Sequence, residues 1–415
     1  WGHVSNEGYR VWRSDSPDEA AYAVVREVSA ARRAYHDLPL ENGRTYYYKI
    51  SALKNGKETF SDPVEATPHL LPGNPDWDFH EGDYSQQGYI GIGLPGTWRP
   101  FAPDSIWNTP LDPDRARPDP DGEAVMQQIR STSQKLVFSI SQYTIPVHVV
   151  NSDNIPGMPV QSIHYNGNIF DAWDTDAWVD RHPPLLPEMW AEQNEDGHLV
   201  IVDPFKKLAW ELSMFHWDAD GQAKCSTYNV WDLTGSGTST PFEARKWPSR
   251  GGRGAGFPVI AGLIRPEEIA VGEIRHAMIY GYSHNRLGDD GKKAFVHPAV
   301  RSDGRYQGRQ YPYEGSLLRL PPHVGETDFD QWGLGEHARV VARALRDYGM
   351  YNGDNSGRFK VYAQLLSPDD ATSVRMWEEQ FPGLAKDIEK IPIELFQVVR
   401  TGSLYREGVG AVADE

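Results

Sequence analysis

Short strand-like runs separated by turn residues make up most of the chain. YRVWRS (9–14) alternates apolar and polar positions, YAVVREV (22–28) follows it, and TYYYKISAL (45–53) repeats the period of two expected of a strand with one covered face. ENG (41–43) precedes the third run and KNGKE (54–58) follows it, the latter an Asn-Gly hairpin signal. Further strands are predicted over 136–140, 146–150, 199–202, 208–215, 274–280 and 316–320. A different period governs EHARVVARALRDYG, which sets Ala338, Val341, Ala344, Leu345 and Tyr348 on one helical face and ends at Gly349. A second helix is predicted near DDATSVRMWEEQ (369–380). The alternating helices of an α/β barrel are missing. The pattern therefore predicts a mainly β chain: a β-sandwich or jelly roll with a few helices over 91–411, a smaller β module over 1–68, and a Pro/Gly-rich linker over 69–90.

Composition narrows the partners. With 41 Lys plus Arg against 58 Asp plus Glu, the formal charge is -17, a surface that repels nucleic acid and acidic membranes. It also weighs against a highly sulfated or uronate-rich substrate unless a local basic patch overrides it. The single cysteine, Cys225, can form neither an internal disulfide nor a cysteine metal cluster. No apolar run reaches the ~18 residues of a membrane span. The 14 Trp suit stacking on sugar rings, although tryptophan also fills sandwich cores.

Two resemblances add to this reading. Tyr9, Tyr35, Leu38, Gly43, Tyr46, Tyr48, Ala52, Ser61 and the closing Ala66–Thr67–Pro68 resemble the later strands of a fibronectin type III domain. The chain opens inside that pattern, so the first strands are expected to precede residue 1. The segments FAPDSIWNTPL (101–111), GHLVIVDPFKKLAWELS (197–213), GGRGAGFPVIAGLIRPEEIAVGEIRHAM (251–278), HPAVRSDG (297–304), VVARALRDYGMYNGDNSGRF (340–359) and IPIELFQVV (391–399) look like a family of secreted bacterial proteins. Together these resemblances imply an extracellular, carbohydrate-directed protein, and they carry over no catalytic residue; the chain is expected to act as a monomer.

Candidate chemistry centres on carboxylates. Alternation puts Leu208, Trp210, Leu212 and Met214 on the core side of a strand and Glu211 on the opposite face beside Ala209 and Ser213, where a ligand would have room. Its acid partner is expected among Asp174, Asp176, Asp203 and Asp232. Asp203 also suits a structural task, capping the turn at Pro204. Across a hairpin it would lie ~10 Å from Glu211, wide for a retaining glycosidase and marginal for an inverting one. FDAWDTDAWVDRHPP (170–184) interleaves acids with Trp173 and Trp178, which suits a sugar, a structural calcium ion or simply a hydrophilic loop. Asp218-Ala219-Asp220-Gly221 begins like a calcium loop but lacks the spaced Glu, and reads as a turn. Trp107, Trp173 and Trp210 are candidate stacking platforms, Trp210 the weakest because alternation turns it inward. Arg253, in a Gly-rich stretch without the Lys-Ser/Thr of a phosphate loop, could bind a sugar hydroxyl or carboxylate or pair with an acid at the core edge. His276 shares a predicted strand face with apolar residues, where a hydrogen-bonded core histidine is the default and a base the alternative. No H-E-x-x-H or G-x-S-x-G motif occurs.

The expected function is glycoside hydrolysis of a polysaccharide by two carboxylates, endo-acting and without a required cofactor. A polysaccharide lyase using His276, Tyr280 and Arg253 is the alternative, and a non-catalytic carbohydrate-binding or adhesion protein the third reading.

Overall fold

A computed structural model describes residues 8–29, 44–66, 88–112, 116–164, 182–239, 251–406 and 410–412. It divides into two compact units, Trp1–Pro72 with Leu186–Met189, and Gly73–Leu185 with Trp190–Glu415. The protein is mainly β, with several sheets and few helices.

In the first unit the strands Gly8–Ser14, Ala23–Ser29, Tyr46–Lys54, Lys57–Phe60 and Val64–Ala66 form one antiparallel sheet. Tyr9, Val11 and Tyr46 are its buried hydrophobic side chains among the described residues. The Asn-Gly hairpin is present: Asn55 and Gly56 have φ of 51° and 72°, the paired positive values that match the twist of the flanking strands.

The second unit holds two larger sheets. One has five strands in the order Thr227–Asp232, Leu208–Ser213, Leu199–Asp203, Val147–Val150, Tyr89–Gly91. Tyr89 and Ile90, the end of the expected linker, thus belong to an edge strand. The other sheet has seven strands in the order Arg117–Pro118, Gln397–Arg400, Leu317–Arg319, Met350–Asn355, Met278–Tyr282, Lys360–Tyr362, Val137–Ser139.

Alternation along the seven-stranded sheet feeds two separate cores. Met278, Tyr280, Tyr282, Leu318, Met350, Val361 and Val398 pack with residues of the helices Gly122–Thr132, Glu336–Asp347 and Asp370–Gln380, among them Ile129, Val341, Leu345 and Trp377. Their neighbours Ile279, Leu317, Tyr351, Tyr362 and Val399 pack instead with Val147, Val149, Val200, Val202, Ala209 and Trp231 of the five-stranded sheet. The unit is therefore layered sheet on sheet, with helices on the outer face of the larger sheet. Both predicted helices are present, and Ala338, Val341, Ala344 and Leu345 are buried as their spacing requires.

Candidate functional site

At one place the seam between the two sheets opens. Met278–Tyr282 pairs on one side with Met350–Asn355 and on the other with Lys360–Tyr362, so that Gly281 lies between Asp354 and Lys360. Paired residues share a sheet face, so the row reads acid, glycine, lysine. A Cβ at Gly281 would meet the Tyr362 hydroxyl at 2.5 Å and Ser356 Cβ at 2.7 Å, and its absence leaves a floor. The register shifts between Tyr280 and Gly281: Tyr280 pairs with Asn352 and Gly281 with Asp354. Gly353 is therefore the extra residue of a bulge, and the bulge re-aims Asp354 towards the seam.

The cavity above this floor measures about 240 Å3 and is lined by Asp354, Lys360, Tyr362, Arg253, His198, Asp196, Tyr143 and Ser356, among others. Lys360 and Tyr362 share a face by alternation. His198 and Asp196 arrive on the turn leading into Leu199–Asp203. Glu192 holds that turn, accepting from the Asn194 and Gly197 amides at 3.0 and 2.8 Å. Gly197 has φ 49°, and a Cβ there would lie 2.8 Å from Met214 Cα, so the turn requires glycine.

Electrostatics set this cavity apart. The Asp354 side chain is 24% exposed and lies 4.0 Å from Arg253. Burial, helped by Asp303 and Asp196, pushes its pKa up to about 7 against the pull of Arg253. Burial also pushes the Lys360 ammonium down to about 8, and Arg253 lowers it further. His198, buried beside the same two cations, is pushed down to about 3 and is neutral, with Nδ1 3.2 Å from Ser213 Oγ. The Arg253 and Lys360 charges lie 4.4 and 4.6 Å from the Tyr362 ring centroid. Such a site can supply a proton from Asp354 at neutral pH, a second carboxylate from Asp196, and two fixed cations.

Of the residues singled out in the sequence, Arg253 lines this cavity. Glu211 does not, because the face expected to be open is covered: Glu211 is 1% exposed, accepting from the Ile260 amide at 2.9 Å and from Trp231 Nε1 at 3.0 Å. The strand ends at Ser213, leaving Met214 exposed with φ 53° and Phe215 buried, the reverse of strict alternation. Asp203 caps its turn, accepting from the Phe205 and Lys206 amides at 2.9 and 2.8 Å and from the Ser152 hydroxyl at 2.6 Å. Asp232 likewise accepts from the Thr234 amide and hydroxyl. His276 precedes its strand and is buried between the Ala277 carbonyl and Glu268, at 3.0 and 3.1 Å. Tyr280 faces the helix-side core, away from the seam. Trp107 is buried edge-on against Phe257 and Tyr351 and donates to the Gly237 carbonyl, while Trp210 is 3% exposed. Trp173, Asp174 and Asp176 lie outside the described residues. Asp218 accepts from the Asp220 and Gln222 amides, the geometry of a turn, and the described residues contain no group of three or more His, Cys, Asp or Glu able to hold a metal ion.

Asp354, Asp196, His198, Lys360 and Tyr362 were not singled out in the sequence. NGDNSG (352–357) has the composition of a plain turn, and only the strand pairing that brings Gly281 between Asp354 and Lys360 marks it.

No protein-family model matches the chain, and no solved structure matches it. An amylopullulanase from Thermoanaerobacter thermohydrosulfuricus is 29% identical over 102 residues, a stretch covering 24% of this chain and 6% of that protein's length.

Proposed function

We propose that the protein is a glycoside hydrolase acting on an extracellular polysaccharide, with the Asp354 cavity as its reaction centre. The observation that carries this reading is a carboxyl held protonated up to about pH 7 in an open cavity that also contains Asp196. The partial similarity to an amylopullulanase supports a carbohydrate substrate. Asp354 donates its proton to the glycosidic oxygen as the bond from that oxygen to the anomeric carbon breaks. Water adds to the anomeric carbon and gives a proton to Asp196. Neutral His198 and the Tyr362 hydroxyl are polar groups that can contact the sugar. The N-terminal sheet fits an accessory module of the fibronectin type III kind.

Products from a polysaccharide panel test the reading. Expected are new reducing ends without the ultraviolet absorbance of a C=C bond, a rate that falls as pH rises through about 7 and Asp354 ionises, and loss of at least ~100-fold in kcat in Asp354→Asn. Absorbing products would indicate elimination, and unchanged turnover in Asp354→Asn would remove Asp354 from the mechanism.

A further inference from the structure

Arg253 and Lys360 are 1% and 7% exposed, and buried cations are normally fully paired. These two are not. Arg253 Nη2 donates to the Val259 carbonyl at 3.1 Å, Nε meets no partner among the described residues, and Nη1 stands 4.0 Å from Asp354, too far for a hydrogen bond. Lys360 gives one proton to the Tyr143 carbonyl at 3.1 Å, and an ammonium has three to give. Both charges are fixed on the ring of Tyr362 beside the cavity, in a chain whose formal charge is -17. Donors left unspent on two dehydrated cations in an open site are suited to an anion brought from outside.

We infer that the sugar unit bound in this cavity is acidic, its carboxylate held by Lys360 and Arg253. The inference rests on the Asp354 cavity being the sugar-binding site. A uronate fits the volume and supplies the missing acceptors. Its charge beside Asp354 raises that carboxyl's proton affinity further, which keeps the donor loaded while the substrate is bound. The local cations thereby override the repulsion expected from the acidic surface.

Calorimetry on the full chain tests this with glucuronate and galacturonate, the methyl ester of each, and the neutral parents glucose and galactose. At least one acid should bind tenfold or more tightly than its ester and its parent. Lys360→Met should cut that preference below threefold, whereas Lys360→Arg, which keeps the charge, should retain most of it; should Lys360→Met fail to fold, Lys360→Arg and the ester comparison decide. Equal binding of acid, ester and parent, no binding of either acid at tens of millimolar, or a Lys360→Met loss shared equally by all three would overturn the inference. The two readings fail separately. An acid preference with no product from any polyuronate keeps the acidic pocket and removes hydrolysis. Reducing ends released from neutral glycans alone keep hydrolysis and remove the acidic sugar.

Discussion

Glu211 illustrates a carboxylate placed in mid-strand to hold two chain segments together. Its two oxygens fasten the Ile260 amide and the Trp231 indole to one strand, and burial still pushes its pKa up to about 7. Glutamine in its place has one oxygen for two donors, so its NH2 must face an N–H. Glu211→Gln should therefore lose ~1–3 kcal/mol of stability in denaturant titrations, while kcat of the folded protein stays within about threefold. The pH dependence has a definite sign. A carboxyl whose folded pKa lies above its unfolded value of ~4.3 stabilises most at acid pH, and that contribution fades as pH rises to about 7. The variant should lose that part of the slope. A large loss of kcat in folded Glu211→Gln would return Glu211 to the mechanism.

At the scale of the element, three neighbouring strands make the cavity and a missing side chain keeps it open. Gly281→Ala would drive a methyl group into Tyr362 and Ser356. Its expected cost is ~1–3 kcal/mol, with loss of measurable ligand binding, checked by melting curves and calorimetry on the same preparation. The elements were legible in part. The sequence marked Val147–Val150, Leu199–Asp203, Leu208–Ser213 and part of Met278–Tyr282, and the i, i+3, i+4 spacing of Ala338, Val341 and Leu345 marked the main helix. Met350–Asn355 and Lys360–Tyr362, two of the three strands that make the cavity, were not predicted. The site was not legible. Alternation divides a strand into two faces without saying whether either stays open, and Glu211 showed both faces covered. Trp107 could not be sorted into platform or core, because stacking on a sugar and edge-on packing against Phe257 use the same indole, whereas Trp210 is buried as alternation indicated. Asp354 and Lys360 became a pair only through Gly281 on the strand between them, a relation between segments about 70 residues apart.

At the scale of the whole molecule, net charge and local charge oppose each other. The chain at -17 should slow the approach of an acidic oligosaccharide, while the two cations at the seam retain it after contact. Raising salt shortens the screening length from ~30 Å at 0.01 M to ~8 Å at 0.15 M, which weakens the long-range repulsion first. The association rate constant for a uronate oligomer, measured by stopped flow, should accordingly rise over that interval, whereas a neutral oligomer's should stay level. A falling rate would show that the cations already dominate at a distance. The layered plan also gives unequal weight to insertions and deletions. Gain or loss of one residue in a surface loop leaves the neighbouring strands in phase. Within this strand a loss is absorbed, because excising Gly353 removes the bulge and leaves Asp354 directly after Asn352, still opposite Gly281 in the seam, whereas a residue gained there has no such slack. The extra residue is thus a spare, and a lineage can lose that codon while the strand and its acid both keep their places.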